Sequence, residues 1–115
     1  MKLLIFILKK TEKINELLKT LSQNGLKEAT ILKSSEIINS TENFSKNIDT
    51  ENLIINSLKI ILSKTENYSV TILLAVKKNE EKIFINVVEK VVGNLKNKNI
   101  GILFALPICY VCGLN

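Results

Sequence analysis

The chain has 115 residues and a formal net charge of +5, and all sixteen of its basic residues are lysines. Without arginine or histidine, it lacks the guanidinium fork that binds phosphate and the imidazole that serves as base or metal ligand. Most familiar catalytic sites are therefore excluded, and we expect no enzyme activity, no catalytic residue, no metal and no cofactor. The length predicts one domain spanning residues 1–115. The lysine-, asparagine- and isoleucine-rich composition is typical of AT-biased bacterial coding, so the positive charge is weak support for a polyanionic partner.

The beginning of the chain predicts a strand, a helix and a second strand. Residues 2–9 form a continuous apolar run with β-branched and aromatic members, which is typical of a strand buried on both faces. Thr11 is placed to cap a helix whose apolar stripe runs through residues 14–21 at helical spacing. Gly25 suits the left-handed position that ends a helix. Residues 29–33 then predict the second strand.

The middle of the chain changes character twice. Residues 34–50 are rich in Ser, Asn and Thr and have no clean period, which predicts a long polar loop. Residues 51–63 carry isoleucines and leucines at helical spacing, which predicts an additional helix.

The last third predicts a strand, a helix and a final strand. Residues 68–76 form the third strand, and Asn79 with two following glutamates marks the start of the next helix. Its buried stripe runs from Phe84 to Leu95. Residues 100–107 form the fourth strand, which Pro107 ends, and the tail is expected to add a short edge strand.

This order of elements predicts an α+β, ferredoxin-like βαββαβ fold with an extra helix in the connection between the second and third strands. Right-handed crossovers would place the two crossover helices on one face of a four-stranded sheet. Residues 2–9 and 100–107 are apolar on both faces, so the second face also needs cover. Either the helix at 51–63 folds over it or neighbouring subunits do, and we favour an oligomer.

Three stretches carry a resemblance to a known family. The opening KLLIFILKKTEKINELLKTLSQNGLKEATIL resembles the start of P-II signalling proteins, and GILFALPI resembles the last strand of that family. The intervening EKIFINVVEKVVGNL is similar to its second crossover helix. Together these stretches make up 54 of the 115 residues, just under half of the chain, and they are most similar to divergent P-II-like proteins.

The resemblance implies a regulatory homotrimer whose sheets face inward. It also implies that a small ligand, possibly a nucleotide, binds in the clefts between subunits. Thr30 aligns with the threonine that contacts the nucleotide base in that family. Residues 34–50 occupy the place of the loop that touches a protein partner, so the resemblance assigns partner contact to four of its residues. These are Ser35, Glu36, Phe44 and Lys46.

Departures from the family pattern change the expected ligand chemistry. Ile102 stands where the family has a phosphate-contacting lysine, and the glycine-rich turn before it is reduced to residues 96–101. Standard triphosphate binding is therefore not expected. Lys33 or Lys98 could instead supply a positive charge for the ligand beside Gly101. The alternative interpretation is that each is an ordinary solvent-exposed lysine. Structural oligomerisation without a ligand remains the alternative function.

Two further readings carry less weight. Cys109 and Cys112 are spaced like half of a metal site, but no second pair of ligands accompanies them. RNA-recognition modules share this fold and stack bases on strand aromatics, but Phe6 and Phe104 are more simply core residues, so we expect no nucleic-acid partner.

The apolar run near the start is too short for a signal peptide or a membrane span, so we expect a cytoplasmic protein.

Overall fold

The structure is a computed structural model that describes residues 1–35, 68–97 and 99–114. Four strands and two helices occur in the predicted order, and most of their boundaries lie within two residues of the predicted ones. The predicted helix at 51–63 and most of the predicted loop at 34–50 lie outside the described residues. The elements are β1 Lys2–Leu8, α1 Ile14–Gln23, β2 Thr30–Ser34, β3 Ser69–Val76, α2 Glu80–Val91 and β4 Gly101–Pro107, with a 3₁₀ turn at Thr11–Lys13.

The four strands form one sheet in the order β2-β3-β1-β4, and every neighbouring pair is antiparallel. The two strands at the centre, β1 and β3, are therefore contributed by distant parts of the sequence. An antiparallel sheet with two helices is an α+β arrangement, and it is compatible with the predicted ferredoxin-like fold.

The helices pack on one face of the sheet, and the core lies between. Phe6 from β1 and Phe84 from α2 are both fully buried, and their rings meet edge to face with centroids 5.7 Å apart. Such aromatic pairs add about 0.5–1.5 kcal/mol beyond the area that they bury. The largest fully buried side chains are Phe6, Phe84, Leu4, Leu8, Leu17, Leu21, Ile72, Val76 and Val88.

The first helix begins differently from the prediction and ends as predicted. Thr11 lies inside the 3₁₀ turn that precedes α1 and makes no capping hydrogen bond, so the predicted N-cap is wrong. At the other end Gly25 has φ +86° and donates to the carbonyl of Ser22, while Leu26 donates to the carbonyl of Leu21. These two bonds form a Schellman motif, which a residue without Cβ enters at the lowest cost.

The second helix begins where predicted, and a side chain of its first residue bonds back to the turn before it. Asn79 makes no capping hydrogen bond. Instead, the Glu80 carboxylate accepts a hydrogen bond of 2.7 Å from the backbone N–H of Lys77. The helix ends at Val91, before the predicted Leu95, because Gly93 adopts φ +134° and turns the chain toward β4.

Candidate functional site

The side of the sheet that faces away from the helices is the candidate site, and we call it the open face. Alternate residues of a strand point to opposite faces, so the register assigns its members. Ile5 of β1, for example, stands between Leu73 of β3 and Phe104 of β4. The members are Leu3, Ile5, Ile7, Thr30, Leu32, Ser34, Ser69, Thr71, Leu73, Ala75, Ile102, Phe104 and Leu106.

The open face is apolar and leaves large side chains accessible. Phe104 and Leu106 on β4 are each 47% exposed, and Leu32 on β2 is 48% exposed. Their counterparts on the covered side of β1 and β3 are almost completely buried. The predicted contrast between a covered face and an uncovered face is therefore present, and neither α1 nor α2 covers the second one.

A group of hydroxyls interrupts the apolar surface at one end of the open face. The Ser34 hydroxyl lies 2.8 Å from the hydroxyls of both Ser69 and Thr71. Ser69 is buried and also donates to the carbonyl of Ser34. The three hydroxyls satisfy one another, so they join the end of β2 to the start of β3.

A shallow hollow of about 350 Å³ lies toward the other end, where β2 begins. Apolar side chains form most of its wall, which is the usual character of a small-molecule site. Glu28 is the charged residue in the wall and Thr30 supplies a hydroxyl. The lining residues are Leu3, Glu28, Ala29, Thr30, Leu73, Leu74, Ala75 and Leu114.

Two of the predicted ligand residues on β2 lie on opposite faces of the sheet. Thr30 is exposed on the open face and lines the hollow. Lys33 stands opposite Val70 on the other face, and its ammonium lies 4.4 Å above the centre of the Tyr68 ring. A cation–π contact of this kind occupies the lysine locally, so the structure does not bring Lys33 to the hollow.

Gly101, another predicted ligand residue, lies at the opposite edge of the sheet. Gly101 begins β4 and pairs with Leu8, while Lys33 stands in the same row on β2. Three strand spacings separate the two edge strands, which is roughly 14 Å. Lys98 lies outside the described residues.

Gly101 has a packing role that the sequence did not reveal. A Cβ added there would lie 2.5 Å from the carbonyl oxygen of Ile7 and 2.9 Å from the ring of Phe6. Because this carbonyl belongs to the central strand β1, it cannot move away without disturbing the hydrogen bonds between β1 and its neighbouring strands. We expect Gly101→Ala to lower the free energy of unfolding by about 3 kcal/mol, measured by urea denaturation. Gly113→Ala meets no heavy atom within 4 Å and bears only the strain of its positive φ of +88°, so it should cost about 1 kcal/mol; equal stabilities for the two variants would contradict the packing role.

The predicted partner loop is described only at its beginning. Ser34 belongs to β2, so the loop starts one residue later than predicted, and Ser35 is exposed directly after the strand. Glu36, Phe44 and Lys46 lie outside the described residues.

The C-terminal tail does not form the expected edge strand within residues 108–114. It begins beside the start of β1, where the N–H of Ile108 donates to the carbonyl of Met1. It then reaches the hollow, where Leu114 lies with residues of β2 and β3. Both Cys109 and Cys112 are exposed as free thiols, and the described residues contain no cluster of three or more His, Cys, Asp or Glu side chains suited to a metal.

Sequence reasoning missed several residues of the hollow. Leu3 and Leu73 could have been assigned from strand alternation once the strand pairing was known. Glu28 and Leu114 carry no such signal, because one precedes a strand and the other lies in an irregular tail.

Comparisons with known proteins add no family. Neither a protein-family model nor a curated protein matches the chain. Among the described residues, the helices are too short or too polar for any of them to cross a bilayer.

Proposed function

We propose that this protein is a P-II-like regulator: a non-enzymatic homotrimer that binds a small ligand in clefts between its subunits. A protein partner is contacted through residues 34–50, which follow β2 directly. The observation that carries the proposal is the open face, an apolar sheet surface that α1 and α2 leave uncovered.

The open face supports association of several copies. Ile102, Phe104 and Leu106 expose between 40% and 47% of their surface on one strand. Burying a side chain of this size contributes about 1.5–3 kcal/mol, and contiguous apolar patches mark interaction surfaces in soluble proteins. Because each copy carries the same patch, packing the sheets around a threefold axis would bury it in all three at once.

The positions of the predicted ligand residues support a cleft between subunits. Thr30 and Lys33 lie on one edge strand, and Gly101 lies on the opposite one. A closed ring of subunits places the β2 edge of one copy near the β4 edge of the next, so the separated residues could then line a single site. The hollow beside Thr30 would be the part of that site contributed by β2 and β3.

The composition of the hollow favours a ligand with an apolar ring. Its walls are mostly Leu and Ala, and the Thr30 hydroxyl and the Glu28 carboxylate are the polar groups available for hydrogen bonds. A heterocycle with N–H donors fits such walls, whereas a phosphate group would meet the Glu28 charge. Any phosphate would therefore have to extend away from the hollow.

Ligand-dependent melting tests this proposal. A ligand that binds only the folded protein raises the melting temperature, and the rise grows with the logarithm of the ligand concentration divided by its Kd. We expect at least one of adenine nucleotides, cyclic dinucleotides, 2-oxoacids or bicarbonate to do so. Thr30→Val should weaken that ligand about tenfold, by removing one hydrogen bond. Thr20→Val is the matched control, since the Thr20 hydroxyl bonds to the Glu16 carbonyl on α1.

Two results would replace the proposal. A trimer that no compound in the panel stabilises would instead be a structural oligomerisation module. A rise in melting temperature caused by single-stranded RNA would favour a nucleic-acid function. The sheet supports that function poorly, because Phe6 is buried under the helices and Phe104 is the aromatic residue that the open face offers.

A further inference from the structure

The sequence contains two cysteines and one methionine, which are Cys109, Cys112 and Met1. Met1 and Cys109 are far apart in sequence, but the fold brings their backbones close together at the corner of the sheet where β1 begins and β4 ends.

The pairing of β1 with β4 brings these residues together. Lys2 pairs with Pro107 in the ladder, and its ammonium is held by the Glu81 carboxylate of α2 at 3.0 Å. One residue further out, the N–H of Ile108 donates to the carbonyl of Met1 at 3.2 Å. Met1 is therefore bonded to the residue that precedes Cys109, and Cys112 follows three residues further along the tail.

All three sulfur residues are accessible, which ordinary packing does not explain. Met1 is 50% exposed, and both cysteines are exposed as free thiols. Cysteine is among the residue types most often buried in proteins, where it packs as a small hydrophobe. Two exposed thiols separated by two residues are better explained by their chemistry than by core formation.

We propose that Met1, Cys109 and Cys112 bind one soft monovalent metal ion, copper(I) or silver(I). Thiolate and thioether sulfur are the ligands that such ions prefer. Zinc normally requires four donors, and the described residues offer no cluster of three or more His, Cys, Asp or Glu side chains. Binding displaces one proton from each thiol: the ion and two thiols give a dithiolate complex and two protons, and the neutral thioether adds a third bond.

The tail can adopt the conformation that the ion requires. Residues 108–114 form no helix or strand, so no ladder fixes the directions of the two thiols. Gly113, directly after Cys112, adopts φ +88° and turns the chain. The site is contained within one chain, so it does not depend on the proposed trimer.

Anaerobic titration of the reduced full-length chain with silver(I) tests the proposal. Native mass spectrometry should count one ion per chain, and a thiolate-to-metal absorption band should saturate at the same ratio. The sequence contains no tryptophan, which keeps the ultraviolet background low. Because thiolates are the binding form, apparent affinity should rise with pH.

Single substitutions separate the three ligands. Cys109→Ser and Cys112→Ser should each weaken binding by more than about a hundredfold, beyond the loss typical of changes around a metal's direct ligands. Tyr110→Ser, which alters the same exposed tail but keeps both thiols, should bind as the wild type does. Unchanged circular dichroism would show that each variant is folded.

The methionine is tested in a chain carrying a short N-terminal extension, in which residue 1 can be changed. Met1→Leu should weaken silver binding about tenfold, since a neutral thioether is the weakest of the three ligands. X-ray absorption should then count two sulfur neighbours instead of three. Wild-type affinity in either cysteine variant, or in Met1→Leu, would overturn the three-sulfur site, as would rapid loss of the ion to a competing monothiol.

Discussion

Phe104→Asp should convert the proposed trimer into a monomer. Phe104 stands in the middle of the open face on β4, opposite Ile5, and is 47% exposed in one chain. In the proposed trimer its ring is buried against the other sheets. A carboxylate there would be desolvated without a partner in three copies, which costs several kcal/mol per copy. Association should therefore weaken by more than about a thousandfold.

The control for this substitution lies one residue further along the same strand. Ala105 is also exposed, but strand alternation places it on the opposite side of the sheet. Ala105→Asp introduces the same charge and should leave the trimer intact. Light scattering after size exclusion, at one protein concentration, compares the two variants; equal masses would contradict a role for the open face in assembly.

Phe6→Ala should have the largest effect on folding. Phe6 is fully buried, packs edge to face against Phe84, and closes over Gly101. Truncation leaves a cavity between the sheet and the helices, so the free energy of unfolding should fall by about 3–5 kcal/mol. That is a large share of the roughly 5–15 kcal/mol that stabilises a typical domain. Urea denaturation followed by circular dichroism measures it.

A double-mutant cycle isolates the ring contact itself. Phe84→Ala alone should cost a similar amount, and the double variant should cost less than the two single changes together, because both remove the same contact. The coupling should be about 0.5–1.5 kcal/mol. Simple additivity would show that the two rings stabilise the core independently. All variants are compared at one protein concentration, since association also contributes to apparent stability.

The strands and their faces could be predicted because the alternation of side chains between the two faces is a local property, which a few consecutive residues are enough to show. The run around Leu4 and Phe6 predicted a strand buried on both faces, whereas the structure buries one face of β1 fully and leaves the other half-buried. Gly25 was equally readable, because a left-handed residue after a helix has one favoured amino acid. The predicted cap at Thr11 is wrong because the chain forms a 3₁₀ turn over the three residues before α1, which the pattern around Thr11 does not reveal.

Features that depend on long-range contacts were not available from the sequence. The hollow is lined by both Glu28 and Leu114, and the hydrogen bond between Ile108 and Met1 brings Cys109 close to Met1. Strand pairing and the path of the irregular tail create both of these arrangements. Gly101 was read as a ligand residue, but its tight contact with the Ile7 carbonyl appears only once β4 is placed beside β1. Local sequence patterns therefore predict the strands, the helices and their apolar faces. Which distant residues lie side by side is known only once the fold is known.

The solution mass of the unmodified protein tests the central claim most directly. One chain has a mass of 12.9 kDa, and light scattering after size exclusion determines mass without assuming a shape. The proposed arrangement predicts a mass of three chains that is unchanged on moderate dilution, because each copy buries its open face. A mass of one chain across the same concentrations would contradict the trimer and remove the clefts in which the ligand is proposed to bind.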